Sequence, residues 1–187
     1  PMIFQSGYLT IKDYDPYTNS YLLDLPNNEV KKGFLTLIAS NYLGAKESAG
    51  TLAIQLVRAI QRDDLETWRK SLTAFFASIP YTMRRKDNEK EKERYFHYTF
   101  YLIFRILSTY LVLIEMQQSE GRADCIIETE KCVYIFEFKL DGSAEEALQQ
   151  IEEKGYALPC IADNRPVRKV GVNFSSVTGT IVDWKEI

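Results

Sequence analysis

Seventeen residues near the middle of the chain, Ala123 to Lys139, limit what it can fold into more than any other stretch. Two apolar runs, Cys125-Ile126-Ile127 and Val133-Tyr134-Ile135-Phe136, flank the polar residues Thr129-Glu130-Lys131. β-Branched and aromatic runs separated by a short polar turn read as two adjacent strands. Strand side chains alternate between faces, so Glu137 and Lys139 project to one side and Phe136 and Phe138 to the other. Buried aromatics on one face with an acid and a base on the opposite face suit a sheet that carries a site. Asp124 stands at the start of the first strand, where it can join them.

The rest of the chain supplies a mixed set of elements. Tyr8-Leu9-Thr10-Ile11 and Tyr21-Leu22-Leu23 flank a turn-rich loop, Asp13 to Asn19, and read as a β-hairpin. Pro26-Asn27-Asn28 offers an N-cap for a helix carrying Val30, Phe34, Leu37, Ile38 and Tyr42, before Gly44. Helical patterns follow at 48–62 and 64–78, the latter ended by Pro80. Residues 84–94 are almost all charged, with mixed sign, and mark the expected boundary between an accessory region, 1–83, and a second domain, 84–187. From Glu93 a long helix carries Phe96, Phe100, Ile103, Phe104, Leu107 and Leu111 as an apolar stripe. A strand at 112–117, the central hairpin, a helix capped by Ser143, and strands at 167–174 and 180–184 complete an α-β-β-β-α-β-β order.

Composition removes several classes of function. No apolar run reaches the ~20 residues that span a bilayer, and the N-terminus lacks a basic-then-apolar signal pattern. The cysteines, Cys125, Cys132 and Cys160, are odd in number and lack CxxC spacing, which points to reduced thiols in the cytoplasm. A single histidine, His97, excludes most zinc sites and any mechanism needing two imidazoles. The net charge of −3 does not advertise nucleic-acid binding, although grouped basic residues can create the needed field locally.

Two carboxylates and a lysine on one sheet face suit metal-dependent phosphodiester hydrolysis. Asp124 and Glu137 could share Mg²⁺, with the Phe138 carbonyl as a third oxygen ligand. Lys139 would stand beside the attacking water and offset charge in the transition state. The plainer alternative is a surface Glu–Lys pair of little energetic worth. Glu93 could reach the metal through water and His97 a phosphate, or both could be solvated or capping residues. Gln150 could hold Lys139 or a backbone phosphate, or be a boundary residue satisfied by water. Lys154 shares its flank, and Tyr156 beyond it is either a contact residue or helix-end packing. Arg122 could meet a phosphate bidentately or pair with Glu120 or Glu115. Arg165, Arg168 and Lys169 form a loose basic group that could track a backbone, although loop cations are usually only solvated.

In this order, Glu93 on a helix, Gly121-Arg122-Ala123-Asp124, Glu137-Phe138-Lys139 and Gln150 on a later helix resemble the PD-(D/E)XK nuclease superfamily. The run from Tyr134 to Ile151, with Lys154-Gly155-Tyr156-Ala157 and Gly171-Val172-Asn173-Phe174-Ser175, is similar to the bacterial branch found as the C-terminal part of AAA-ATPase-like proteins. The resemblance covers about residues 84–187. It implies an α/β fold with a restriction-endonuclease-like αβββαβ core, a mixed central sheet flanked by helices, here preceded by a hairpin and a small helical region. It also implies Asp124 and Glu137 as metal ligands, Lys139 as the catalytic lysine, Glu93 and Gln150 as flanking helix residues, Mg²⁺ or Mn²⁺ as cofactor, and DNA as substrate. Ala123 departs from the namesake proline, and His97 stands where a polar residue, often glutamine, is expected.

Two further readings stand beside the nuclease. One is a nuclease-fold module that binds nucleic acid or a protein without cutting, regulated by an upstream ATPase-like domain. The other is a structural module whose front hairpin and helices dock onto such a domain. No phosphate-binding Gly-rich lysine loop occurs in the chain, so ATP binding by these residues is not expected.

Overall fold

A computed structural model describes residues 2–43, 48–79, 98–99, 101–107, 113–116, 123–160 and 164–187. A single-turn helix, α1 (Met2–Gln5), precedes the expected hairpin of β1 (Thr10–Asp15) and β2 (Ser20–Asp24). The strands run further into the turn-rich segment than its composition suggests. Tyr14 pairs with Tyr21, their rings 4.9 Å apart, and the Asp15 carboxylate closes the turn by accepting from Thr18 and the Tyr17 amide. Every residue of both strands is exposed.

Three helices follow, α2 (Asn28–Leu43), α3 (Ser48–Gln61) and α4 (Leu65–Ser78). Two are started by side chains that satisfy otherwise unpaired amides. Asn27 accepts from the Val30 amide at 2.9 Å, and Asp64 from that of Thr67 at 2.9 Å. Residues 98–99 and 101–107 are helical and belong to the expected long helix; its start at Glu93 and the helix-ending Pro80 lie outside the described residues.

Among the described residues the sheet has five strands in the order β3-β4-β5-β6-β7: β3 (Leu113–Met116), β4 (Cys125–Glu128), β5 (Val133–Leu140), β6 (Val167–Ser175) and β7 (Thr180–Glu186). Neighbours are antiparallel except β5 and β6, which are parallel. A parallel pair needs a crossover, supplied here by helix α5 (Ala144–Glu153). The result is the mixed α/β architecture of the expected restriction-endonuclease-like core, extended by an antiparallel edge strand.

Alternation sorts the sheet into two covered faces. Tyr134 and Phe136 of β5, with Val170, Val172 and Phe174 of β6, share one buried core with Leu56, Ile60, Trp68, Leu72 and Phe76 of α3 and α4. Trp68 stacks on Phe136 at 4.8 Å and Phe76 meets Phe174 at 5.0 Å, so this core includes residues from both sides of residue 84. On the other face Ile135 packs with Leu148 and Ile151 of α5 and with Tyr156. The two layers are tied further at Asp63, in the turn between α3 and α4. Its carboxylate accepts from Tyr134 at 2.7 Å and from Arg168 at 2.6 Å.

Cys125 lies opposite Phe136, and all three cysteines are free thiols. Among the described residues no helix is long and apolar enough to cross a membrane.

Candidate active site

The candidate site sits where β5 outruns β4. The last β5 residue paired with β4 is Phe136, opposite Cys125, and beyond it the Phe138 amide is met by a side chain. That side chain is Asp124, just before β4: its Oδ2 accepts the Phe138 amide at 2.9 Å. In return the Asp124 amide donates to Glu137 Oε2 at 3.3 Å. Each carboxylate is thus braced by a backbone N–H from the other's segment, and the two are held side by side. Lys139 Nζ stands 3.6 Å from Glu137 Oε1.

Glu137 is only 2% exposed. Burial, and then the neighbouring Asp124 charge, push its pKa up from 4.5 to about 7, against the opposing pull of Lys139 and the Asp124 amide. Desolvation and a like charge both disfavour the carboxylate form. A cation between the two acids would relieve both penalties, so the donor set fits a hard divalent ion. The N–H and C=O of a strand residue leave on the same edge, which directs the Phe138 carbonyl toward the side where Asp124 sits. Among the described residues no third Asp, Glu, His or Cys joins the pair.

Helix α5 brings the next residue. Ser143 opens it with a capping box: the Ser143 hydroxyl accepts the Glu146 amide, and the Glu146 carboxylate accepts the Ser143 amide. Ala144, Ala147, Leu148 and Ile151 form its buried stripe, as their spacing requires. Gln150 stands at the edge of that stripe, where its Oε1 accepts from Lys139 Nζ. The helix then ends at Gly155, with φ +63. There the Gly155 amide bonds Glu152 O and the Tyr156 amide bonds Ile151 O, which folds the chain back on itself. The reversal returns the Tyr156 hydroxyl to Gln150 Nε2 at 3.3 Å. With its amide nitrogen engaged there, Gln150 presents oxygen, not nitrogen, to Lys139.

Tyr156 is 7% exposed, so its ring is packing, and what it offers the site is the hydroxyl. Lys154 is exposed and lines, with Lys139, Gln149, Gln150 and Glu153, a groove of about 650 Å³ beside α5. The structure therefore brings together Asp124, Glu137, Phe138, Lys139, Gln150 and Tyr156, with Lys154 at the margin. Glu93, His97 and Arg122 lie outside the described residues. Glu115 is in β3, opposite Ile126.

The loose basic group expected at 165–169 is not free to follow a backbone. Arg165 pairs with Glu128, Arg168 with Asp63 and Lys169 with Glu152. Acids distant in sequence neutralise each cation, which the local run of positive charge could not reveal. Sequence reading did not single out Asn173 or Asp183 as functional; they accept the Gly142 and Ala144 amides where α5 begins. Apart from the place of Asn173 in the family-like run Gly171 to Ser175, their sequence signal was polarity at strand positions, and its meaning depends on the register of β6 and β7.

Comparison with known proteins gives three findings. The model of the PD-(D/E)XK nuclease superfamily matches residues 91–184. A protein of Azotobacter chroococcum mcd 1, described as "Uncharacterized protein in vnfD 5'region", is 35% identical over 190 residues, which cover 97% of this chain and 37% of that protein. The chain thus spans little more than a third of the length of that curated relative. No solved structure matches.

Proposed function

The chain belongs to the PD-(D/E)XK nuclease superfamily, and on that premise we propose that it hydrolyses phosphodiester bonds of DNA with Mg²⁺ or Mn²⁺ as cofactor. The observation that carries this is the convergence of Asp124 and Glu137 with Lys139 3.6 Å from Glu137. In this reading Asp124, Glu137 and the Phe138 carbonyl hold the metal. When bound, the metal neutralises charge at phosphorus and makes a bound water more acidic. Lys139, oriented by Gln150, orients the attacking water and stabilises developing negative charge. Glu93 supports the metal, while Arg122, His97 and Lys154 contact phosphates. The free thiols suit the reducing cytoplasm.

The test is calorimetric titration of Mg²⁺ and Mn²⁺ into the parent and the Asp124→Ala, Glu137→Ala double variant, followed by cleavage assays on single- and double-stranded DNA. Binding and cleavage by the parent alone support the proposal. Metal binding without cleavage of any substrate favours a silent nuclease-fold module, and absence of metal binding even with DNA present removes the hydrolytic reading.

A second reading concerns the front segment. The hairpin exposes Ile11, Tyr14, Tyr17, Tyr21, Leu22 and Leu23. A two-stranded hairpin is marginally stable alone, so this apolar surface favours a docking role, with an ATPase-like domain as the proposed partner. Weaker association of that domain after Tyr17→Ser and Leu22→Ser would support it; unchanged association would remove it.

A further inference from the structure

The face of the sheet that carries Lys139 also grips the helix that carries Gln150. Lys139, Asn173 and Asp183 are successive partners across β5, β6 and β7, and so form one row on that face. All three reach α5 or the turn that opens it. Lys139 bonds Gln150, Asn173 Oδ1 accepts from the Gly142 amide at 2.9 Å, and Asp183 Oδ2 accepts from the Ala144 amide at 2.9 Å. The turn is fastened again at Asp141, whose backbone takes φ +56. Its amide donates to Phe174 O at 2.7 Å and its carboxylate accepts from the Ser176 amide at 2.8 Å.

The next row explains the height of the helix. Gly171 lies beside Glu137. A Cβ at Gly171 would fall 2.1 Å from Ala144 O and 3.0 Å from Leu148 Cγ. The first turn of α5 therefore rests on bare backbone. Gln150 is less than two turns from Ala144, about 9 Å along the axis, so a helix shifted at its start carries Gln150 with it.

We propose that Gly171, Asn173 and Asp183 are positioning residues of the active site. They set the height and anchorage of α5, and through it the Gln150 amide that holds Lys139 beside Glu137. The proposal rests on the reading of Lys139 as the catalytic lysine. Alanine at 171 must open the helix–sheet contact by about 1 Å before ordinary packing distances return. A displacement of that size at a reacting group can cost roughly 100-fold in rate.

The experiment uses the full chain and two readouts. One is acetylation of Lys139 by acetic anhydride, measured by mass spectrometry against Lys154; the other is Mg²⁺-dependent turnover of DNA. Gly171→Ala and Asp183→Ala should each raise Lys139 acetylation several-fold and lower kcat by 10- to 100-fold with KM little changed. Asp183→Asn keeps an acceptor for the Ala144 amide and should restore the parent pattern. On a Gln150→Ala background Gly171→Ala should add nothing, because both act through one contact.

Lys139 acetylation at the parent level in Gly171→Ala and Asp183→Ala, with only melting temperature lowered, would overturn the proposal. So would effects that multiply with Gln150→Ala. Should Gly171→Ala fail to fold, the exposed Asp183 pair carries the same comparison. A parent that cleaves nothing but shows the acetylation pattern removes the nuclease reading and leaves the positioning role standing.

Discussion

Glu137 should make the stability of this protein fall as pH rises through neutrality, opposite to the behaviour of most carboxylates. The group is buried beside Asp124, and its pKa is raised from 4.5 to about 7. The native state therefore keeps a proton that the unfolded chain has released, so the contribution is complete below pH 4.5 and lost as pH passes 7. At roughly 1.4 kcal/mol per tenfold change in proton affinity, the loss amounts to about 3 kcal/mol. Glu137→Gln retains the shape and cannot ionise. Urea unfolding of parent and variant in EDTA, at intervals from pH 5 to pH 8, should show the variant gaining about 3 kcal/mol relative to the parent. In thermal melts the relative gain should be on the order of 10 °C for a chain of this size. Adding Mg²⁺ at pH 8 should stabilise the parent and leave the variant nearly unmoved. Stability curves that stay parallel across the range would refute the reasoning, since they would mean that Glu137 ionises as it does in water and that Asp124 does not press upon it.

Other consequences can be checked separately. Burial raises the proton affinity of Asp63, but the hydrogen bonds from Tyr134 and Arg168 outweigh it and hold its pKa below 3.8. Its contribution is therefore present above about pH 4 and lost as pH falls, and Asp63→Ala should flatten the acid limb of the urea-stability profile. Tyr134→Phe leaves one oxygen of that carboxylate without its donor and should cost about 1–2 kcal/mol in the same assay. Burial pushes the Cys125 thiol well above its usual range, so iodoacetamide on native protein should modify the part-exposed Cys160 first and Cys125 only after unfolding. Gly155→Ala forces a side chain into positive φ with its Cβ 2.7 Å from Leu158 Cδ1. A loss of about 1–2 kcal/mol by thermal or urea unfolding is expected.

The parts of the fold that sequence made legible are those coded locally. Ser143 announced the start of α5, and Asn27 that of α2, because a capping side chain acts within one turn. Alternation separated Phe136 from Glu137 and Lys139 for the same reason. Helix position already offered Lys139 as one partner for Gln150, whereas the contact with Tyr156 needed the left-handed Gly155. Asp63, Tyr134 and Arg168 gave no sign of meeting, as about 70 and 105 residues separate the first from the other two. Arg165, Arg168 and Lys169 misled for a related reason: sequence shows the charges but not the acids that meet them. Asn173 and Asp183 acquire meaning only once β5, β6 and β7 are aligned.

The stack of Trp68 on Phe136 bears on how portable the site is. Phe136 directly precedes Glu137, so the ring that fixes one face of the strand is clamped by a helix some seventy residues earlier. A shortened chain beginning at residue 84 would strip that clamp and bare Phe136, Val172 and Phe174. Each lost large apolar contact removes about 1.5–3 kcal/mol, and the exposed patch invites aggregation. Anyone grafting this strand onto another scaffold, or trimming the chain for crystallisation, must bring α3 and α4 along, since they pack on the face of β5 opposite Glu137 and hold the strand from behind.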